Sequence, residues 1–236
     1  MKRSQVNAAI RHAETFLEQV HFTLPPFAQL TPHDWAGLGI EAREIADAGL
    51  GWDVGDFGLG DFERFGALLF TLRNGSKAQL ERGTGKVYCE KIIVMTPDQT
   101  ILHHFHKSKT EDIINRAGGL LELILHRSAS DGGFSSEEVT FASDGVQRRV
   151  PAGGTVTLEV GMSITLEPYV YHQFRAVGQT VLVGEVSTVN DDANDNFFFD
   201  AVPRFVPIED DEAPHRLLVT EYAAHYKFAT VQRSGY

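Results

Sequence analysis

Cysteine occurs once in the 236 residues, as Cys89, so no disulfide can close within the chain and a cytoplasmic setting is expected. Basic charge is also short. The 21 lysines and arginines face 32 acidic side chains, a net charge of −11. That balance repels phosphate backbones and anionic bilayers, so neither nucleic acid nor a membrane surface is an expected partner. No apolar run approaches the length of a membrane span. Met1-Lys2-Arg3 is followed by a mixed polar segment rather than the apolar stretch of a signal peptide. Repeats, low-complexity tracts and linkers are missing too. What remains is the composition of a globular protein, 42% hydrophobic and 22% charged, with enough length for one well-cored unit.

The first third is patterned for helix. Val6, Ile10, Ala13, Phe16, Leu17 and Val20 share one helical face, opened by Ser4 and closed by Pro25-Pro26. Thr31-Pro32-His33-Asp34 has a capping residue, a proline at the first helical position and an acid in the first turn, which predicts a helix running to Ala48. Gly51 to Gly66, rich in Gly, Asp and Phe, reads as an ordered loop. Its Gly58-Leu59-Gly60 is a turn rather than a phosphate cradle, because no strand leads in and no Lys-Ser/Thr follows.

From Gly66 onward short β-like runs take over: Ala67–Leu72, Val87–Met95, Thr100–His106, Leu120–His126, Glu137–Phe141, Thr155–Val160, Met162–Leu166, Tyr171–Val177 and Thr180–Val189. Asn74-Gly75, Pro97-Asp98, Asp131-Gly132-Gly133, Asp144-Gly145 and Gly153-Gly154 punctuate them. The expectation is an all-β jelly roll carrying N-terminal helices. Residues 1–65 form a helical and loop segment packed on the barrel, 66–200 the barrel, and 201–236 a C-terminal extension that is acidic at Glu209-Asp210-Asp211-Glu212 and partly helical from Leu217, all within one domain.

Within this β region lies the spacing His104-x-His106-x4-Glu111-x6-Gly118, with His172 in a separate run. Histidines at i and i+2 of a strand point to the same face. A carboxylate shortly after and a third imidazole from a distant strand complete a candidate site of His104, His106, Glu111 and His172. Four such ligands leave open positions on a six-coordinate metal, the condition for catalysis rather than a purely structural role. With ten histidines some close pairs arise by chance, and unrelated polar residues are the competing reading. His103 alternates to the opposite face and reads as structural; His126, ending a strand, reads as exposed.

These residues resemble the first cupin motif. His104, His106, Glu111 and Gly118 match it, while Asp98 stands where its first glycine belongs. The second motif is matched by Gly161 and His172, with Pro168 one position late and Ala176 in place of the usual asparagine. The resemblance implies a cupin-like double-stranded β-helix. It narrows further. Gly51-Trp52-Asp53-Val54, Asp56-Phe57-Gly58, Thr71-Leu72-Arg73-Asn74-Gly75, Glu90-Lys91-Ile92, Glu111-Asp112-Ile113-Ile114-Asn115-Arg116, Gly184-Glu185-Val186-Ser187, Asn190-Asp191-Asp192 and Asp195-Asn196 look like the D-lyxose isomerase family. Lys107 departs from the family, which carries an aromatic residue there.

The resemblance implies interconversion of D-lyxose with D-xylulose, and of D-mannose with D-fructose, with Mn2+ as the metal. Imidazole and carboxylate ligands suit Mn2+, Fe2+, Co2+, Ni2+ and Zn2+ alike. The expected partner is a small-molecule sugar, and a homodimer is the prior for a soluble enzyme of this size. Two competing readings stand beside this one: a cupin dioxygenase using Fe2+ and O2, and a non-catalytic sugar-binding cupin.

Isomerisation needs a group to move a proton between C1 and C2 and another to hold the developing charge. In Thr180–Val189, alternation places Glu185 on one face with Val181 and Val183, where an unpartnered carboxylate is costly. Glu185 is therefore the candidate acid-base group, against a buried structural glutamate as the alternative. Lys91 shares a face with Val87, Cys89 and Ile93 and is placed to pair with Glu185 or to stabilise an oxyanion. Lys109, in the loop between ligands, is a candidate contact to sugar hydroxyls, with a solvated lysine as the alternative. Asn190–Asn196 reads as a hydrogen-bonded turn and not a calcium loop, and Phe197-Phe198-Phe199 as core or interface.

Overall fold

Apolar alternation in the runs around residues 120 and 175 persists across neighbouring glycines, and the computed structural model shows why: two strands bend there without ending. The structure describes residues 1–229. Its helices are α1 (Arg3–Gln19), α2 (Pro32–Gly37), α3 (Arg43–Asp47), α4 (Lys77–Arg82) and α5 (Tyr222–His225). Its strands are β1 (Gly51–Gly55), β2 (Ala67–Asn74), β3 (Tyr88–Met95), β4 (Thr100–Phe105), β5 (Glu111–Arg127), β6 (Val139–Ser143), β7 (Val146–Val150), β8 (Gly154–Leu158), β9 (Ser163–Leu166), β10 (Val170–Thr188) and β11 (Phe197–Phe198).

Antiparallel pairing of β5 with β10 runs from Arg127↔Val170 to Glu111↔Ser187, with its main register break between Val177 and Val181. At that break Gly118 takes φ 94° and Gly178 φ 78°. The first half of β5 and the last half of β10 belong to a sheet ordered β1-β2-β3-β10-β5-β9-β6-β7, and the other halves pair with β4 and β8, β11 extending β4. Two curved sheets therefore share two strands and close over one interior. Ile93, Met95, Ile113, Val181 and Val183 from one wall meet Ile101, Leu121, Leu123, Leu125, Phe174 and Ala176 from the other. This is the jelly roll that the strand pattern implied.

The first sheet is covered outside as well. Val6, Ile10, Ala13 and Leu17 of α1 pack on Trp52, Val54, Leu68, Phe70, Leu72, Ile92 and Val94. Burial on both faces explains why β2 reads as an apolar run rather than as an alternating strand. The acidic tail has a structural role here: Asp211 accepts hydrogen bonds from Ser4 N and Oγ, and Glu209 O accepts from Arg3 N. A carboxylate and a main-chain carbonyl of this segment thus satisfy free N–H groups at the positive end of the α1 dipole.

Four sequence expectations need correction. The helix from Thr31 does form its cap, with Asp34 N donating to Thr31 Oγ1, but it stops at Gly37 and helix resumes only at Ile40–Ala42 and α3. Gly37 and Gly39 bracket the break, where glycine loses most by adopting helix. The expected loop Gly51–Gly66 begins as β1, whose identity was hidden by two glycines in five residues. β7 is not marked in the sequence, because its side chains are mostly exposed and it lacks an apolar face. His126 is half-buried rather than exposed, stacked on Phe134 at 4.0 Å. Asp98, standing in for the motif's glycine, takes φ 62°, a left-handed conformation that aspartate tolerates better than most residues.

The bend can be tested. A Cβ on Gly118 would lie 1.9 Å from Thr180 O, whereas a Cβ on Gly178 meets nothing within 4 Å. Gly118→Ala is expected to lower the unfolding free energy by about 3 kcal/mol and Gly178→Ala by only about 1 kcal/mol, the strain alone. Urea unfolding with an unchanged m value checks both. Equal losses would show that backbone strain, not the close approach of β10, sets the bend.

Candidate metal and proton-transfer site

His104 on β4 and His172 on β10 are cross-strand partners, and His106 lies one residue past the end of β4. All three are buried. Each ring is oriented by a main-chain carbonyl: His104 Nδ1 donates to Leu102 O at 2.8 Å, His172 Nδ1 to Val170 O at 2.9 Å, and His106 Nδ1 to Asp195 O. A carbonyl only accepts, so the proton sits on Nδ1 and every Nε2 presents a lone pair.

These lone pairs converge. The three imidazoles offer ring nitrogens within 4.8 Å of one another, and His104 Nε2 stands 3.0 Å from His172 Nε2. Glu111 Oε1 lies 3.1 Å from His172 Nε2 and 3.7 Å from His106 Nε2. His106 Nε2 and Glu111 Oε1 are buried without a hydrogen-bond donor. Lone pairs facing lone pairs repel unless a cation stands between them. Metal–nitrogen bonds of about 2.1 Å at right angles place two nitrogens about 3.0 Å apart, so the residues present fit a divalent ion.

Burial, helped by the neighbouring imidazoles, pushes His104 well below the usual histidine range, and burial with Lys109 pushes His106 down to about 4. Burial acts the other way on Glu111, yet Lys109 and the adjacent imidazoles hold its carboxyl well below the ordinary range. At neutral pH His104 and His106 are neutral imidazoles and Glu111 is a carboxylate.

Glu111 also begins a buried chain of alternating charge. Lys109 Nζ donates to Glu111 Oε2 at 2.7 Å and to Glu185 Oε1 at 2.8 Å. Lys91, directly opposite Glu185 in the β3–β10 ladder, lies 3.4 Å from Glu185 Oε1 and donates to Asn190 Oδ1 at 2.7 Å. It also lies 3.4 Å from Asp192, and Arg204 joins Asp192 at 2.9 Å to Asp53 at 2.6 Å. Burial lowers the affinity of Lys91 and Lys109 for their protons, but the surrounding carboxylates outweigh it and raise both. Four carboxylates meet three cations, leaving one negative charge that a bound metal would offset.

The structure thus brings His104, His106, Glu111, His172, Lys109, Glu185 and Lys91 together on the inner wall. Lys109 is 4% exposed, which overturns the solvated-loop alternative. His103 points away, against Phe134 at 5.1 Å. Phe198 packs inside, 5.5 Å from the His104 ring, while Phe199 is 45% exposed. Lys107, the departure from the family, sets its ammonium 4.0 Å over the Phe197 ring. Asn190, Asp192, Asp195 and Arg204 were not singled out as site residues from the sequence. The density of acids and amides at 190–196 was the available signal; Arg204 had none, because its partner Asp53 is 151 positions away.

A jelly roll with an inward three-histidine cluster beside a carboxylate is the arrangement of the cupin class. Solved structures of the same fold include the L-ribose isomerase of Geodermatophilus obscurus, with a TM-score of 0.58 and 15% identity over 89% of this chain and 98% of that one. The ligand-free L-ribose isomerase of Cellulomonas parahominis gives 0.55 and 17% over 85% and 93%. At such identities the likeness concerns the fold. The sequence goes further. A family model described as D-lyxose isomerase matches residues 1–222. The D-lyxose/D-mannose isomerase of Serratia proteamaculans is 44% identical over 226 residues, 94% of this chain and 98% of that protein. Its counterpart in Escherichia coli O157:H7 is 41% identical over 225 residues, with the same coverage. The chain belongs to the D-lyxose isomerase family, and is a sugar isomerase.

Asp192 tests the charge chain. Burial raises its pKa, but Lys91 and Arg204 hold it well below the carboxylate range. The resulting stability is present above the unfolded pKa of about 3.9 and is lost as pH falls through the lower folded value. With its side chain 18% exposed, Asp192→Asn is expected to cost about 2 kcal/mol at pH 7, less than for a fully buried pair. The gap between wild type and variant closes as pH drops below 4 in urea unfolding. A gap independent of pH would assign the loss to packing.

Proposed function

We propose that this protein interconverts D-lyxose with D-xylulose, and D-mannose with D-fructose, using a divalent ion held by His104, His106, Glu111 and His172. The carrying observation is the convergence of three Nε2 lone pairs and an undonated Glu111 oxygen beside the Lys109–Glu185–Lys91 chain. Family membership supports the substrates; among the metals that these ligands suit, Mn2+ is the one the resemblance implies. We read the protein as a homodimer of the cytoplasm. Among the described residues no helix is long and apolar enough to cross a membrane.

When bound, the ion acts as Lewis acid toward the sugar carbonyl and as template for neighbouring hydroxyls. The remaining chemistry belongs to side chains. Converting an aldose to its ketose removes a proton from C2 and delivers one to C1, while a hydroxyl proton passes from O2 to O1. Glu185 is assigned the carbon-bound proton, since its carboxylate is on the inner wall and held by two ammonium groups. Lys109 is assigned the oxygen side, where its ammonium both offsets charge developing on O1 and O2 and relays the hydroxyl proton. Lys91 holds Glu185 from behind, itself anchored by Asn190 and Asp192. Burial of this set excludes water and strengthens each interaction.

The reading is tested by an anaerobic assay for ketose from D-lyxose and D-mannose, after chelation and after Mn2+ is restored. Ketose without oxygen, lost on chelation and regained with Mn2+, is expected. A requirement for oxygen would favour the dioxygenase, and no turnover of either sugar would favour a binding module.

Two variants test the roles separately. Glu185→Gln is nearly isosteric and should lower kcat by about 10²–10⁴ with metal content unchanged. His104→Ala should lose the metal while keeping the fold, as read by elemental analysis beside circular dichroism.

A further inference from the structure

Asp195 lies in the turn after β10 and is 6% exposed. Its carboxylate collects the main chain of a different segment. Oδ1 accepts from Lys107 N at 2.8 Å and Ser108 N at 3.2 Å. Oδ2 accepts from Lys109 N at 3.0 Å, Ser108 N at 3.3 Å and Ser108 Oγ at 2.7 Å. Three successive N–H groups aimed at one carboxylate form an anion-binding nest filled by the protein's own side chain. These donors belong to no helix or strand, so Asp195 supplies acceptors that secondary structure does not. The main-chain carbonyl of the same residue takes the Nδ1 proton of His106.

One residue therefore holds both the turn that carries Lys109 and the ring of His106 just before it. The main chain leading into Lys109 is open to displacement, since Lys107 and Ser108 are exposed, yet its ammonium must bridge Glu111 and Glu185 in the interior. We propose that Asp195 is a positioning residue of the isomerase: its carboxylate fixes the 107–109 turn and so places Lys109 Nζ, while its carbonyl separately fixes the tautomer and direction of His106. The inference rests on the proton-transfer role given to Lys109 above. It divides one residue into two functions, because removing the side chain leaves the carbonyl in place.

The test uses Asp195→Ala and Lys109→Met in the full-length, Mn2+-loaded protein. Asp195→Ala should retain wild-type metal content and lower kcat by about 10²-fold, the cost of a displacement near 1 Å, with KM changed much less. Amide hydrogen exchange at residues 107–109 should accelerate. Because Asp195 acts through Lys109, the double variant should fall no further than Lys109→Met alone. Asp195→Asn, which keeps the volume but turns an amide donor toward Ser108, should show the same pattern more weakly and serves if the alanine variant does not fold. Additive losses in the double variant, unchanged exchange at 107–109, or a kcat loss that tracks lost metal would each overturn the proposal. If the wild type isomerises no aldose, the functional reading fails, while exchange and metal content still decide whether Asp195 positions the loop.

Discussion

The antiparallel ladder between β5 and β10 is the constraint on which the rest depends. Each strand crosses both sheets, so a single register decides how the two walls of the barrel face one another. β10 carries His172 near one end and Glu185 near the other, and β5 opens with Glu111 opposite Ser187. A slip of one residue would turn every one of these side chains to the outer face. The glycine bend at 118 and 178 is what lets the same two strands serve both walls, and the close approach of Thr180 O to Gly118 leaves no room for a side chain.

Electrostatics inside this frame run against stability taken singly. Taking an ion out of water costs several kcal/mol, so Lys91, Lys109, Glu111 and Glu185 are tolerable only because each has an opposite partner within about 3.5 Å. What the network contributes is placement. Each group is held from two directions, and no group can move without leaving a buried charge uncompensated. Such a site exchanges some stability for fixed geometry, the usual relation between an active site and its fold.

The C-terminal extension ties this interior to the outer helix layer. Its acidic run caps α1 through Asp211 and pairs Asp210 with Arg3, Glu221 joins the same guanidinium, and His215 and Arg216 reach Glu14 farther along the helix. Between β10 and that clamp, Arg204 crosses to Asp53 and Asp192. The C-terminal segment thus packs on the helix that covers the sheet, and also ends the charge chain behind Lys91.

By itself the sequence determined what local periodicity and short spacing encode. Same-face alternation of His104 with His106 and of Glu185 with Val183, the capping pattern at Thr31, and the apolar stripe of α1 are properties of neighbours a few residues apart, and the structure keeps them. The jelly roll was legible for the same reason, since turn signals punctuate many short β-like runs. Tertiary structure decided the rest. Lys109 reads as a loop lysine until Asp195, from a segment 86 positions later, folds its turn inward and two glutamates neutralise it. β1 becomes a strand only because β2 offers it a ladder and α1 a cover. Arg204 acquires a role only when Asp53 and Asp192 meet it. Burial and pairing of charge depend on which distant segments come together, and no pattern within a window of sequence carries that information.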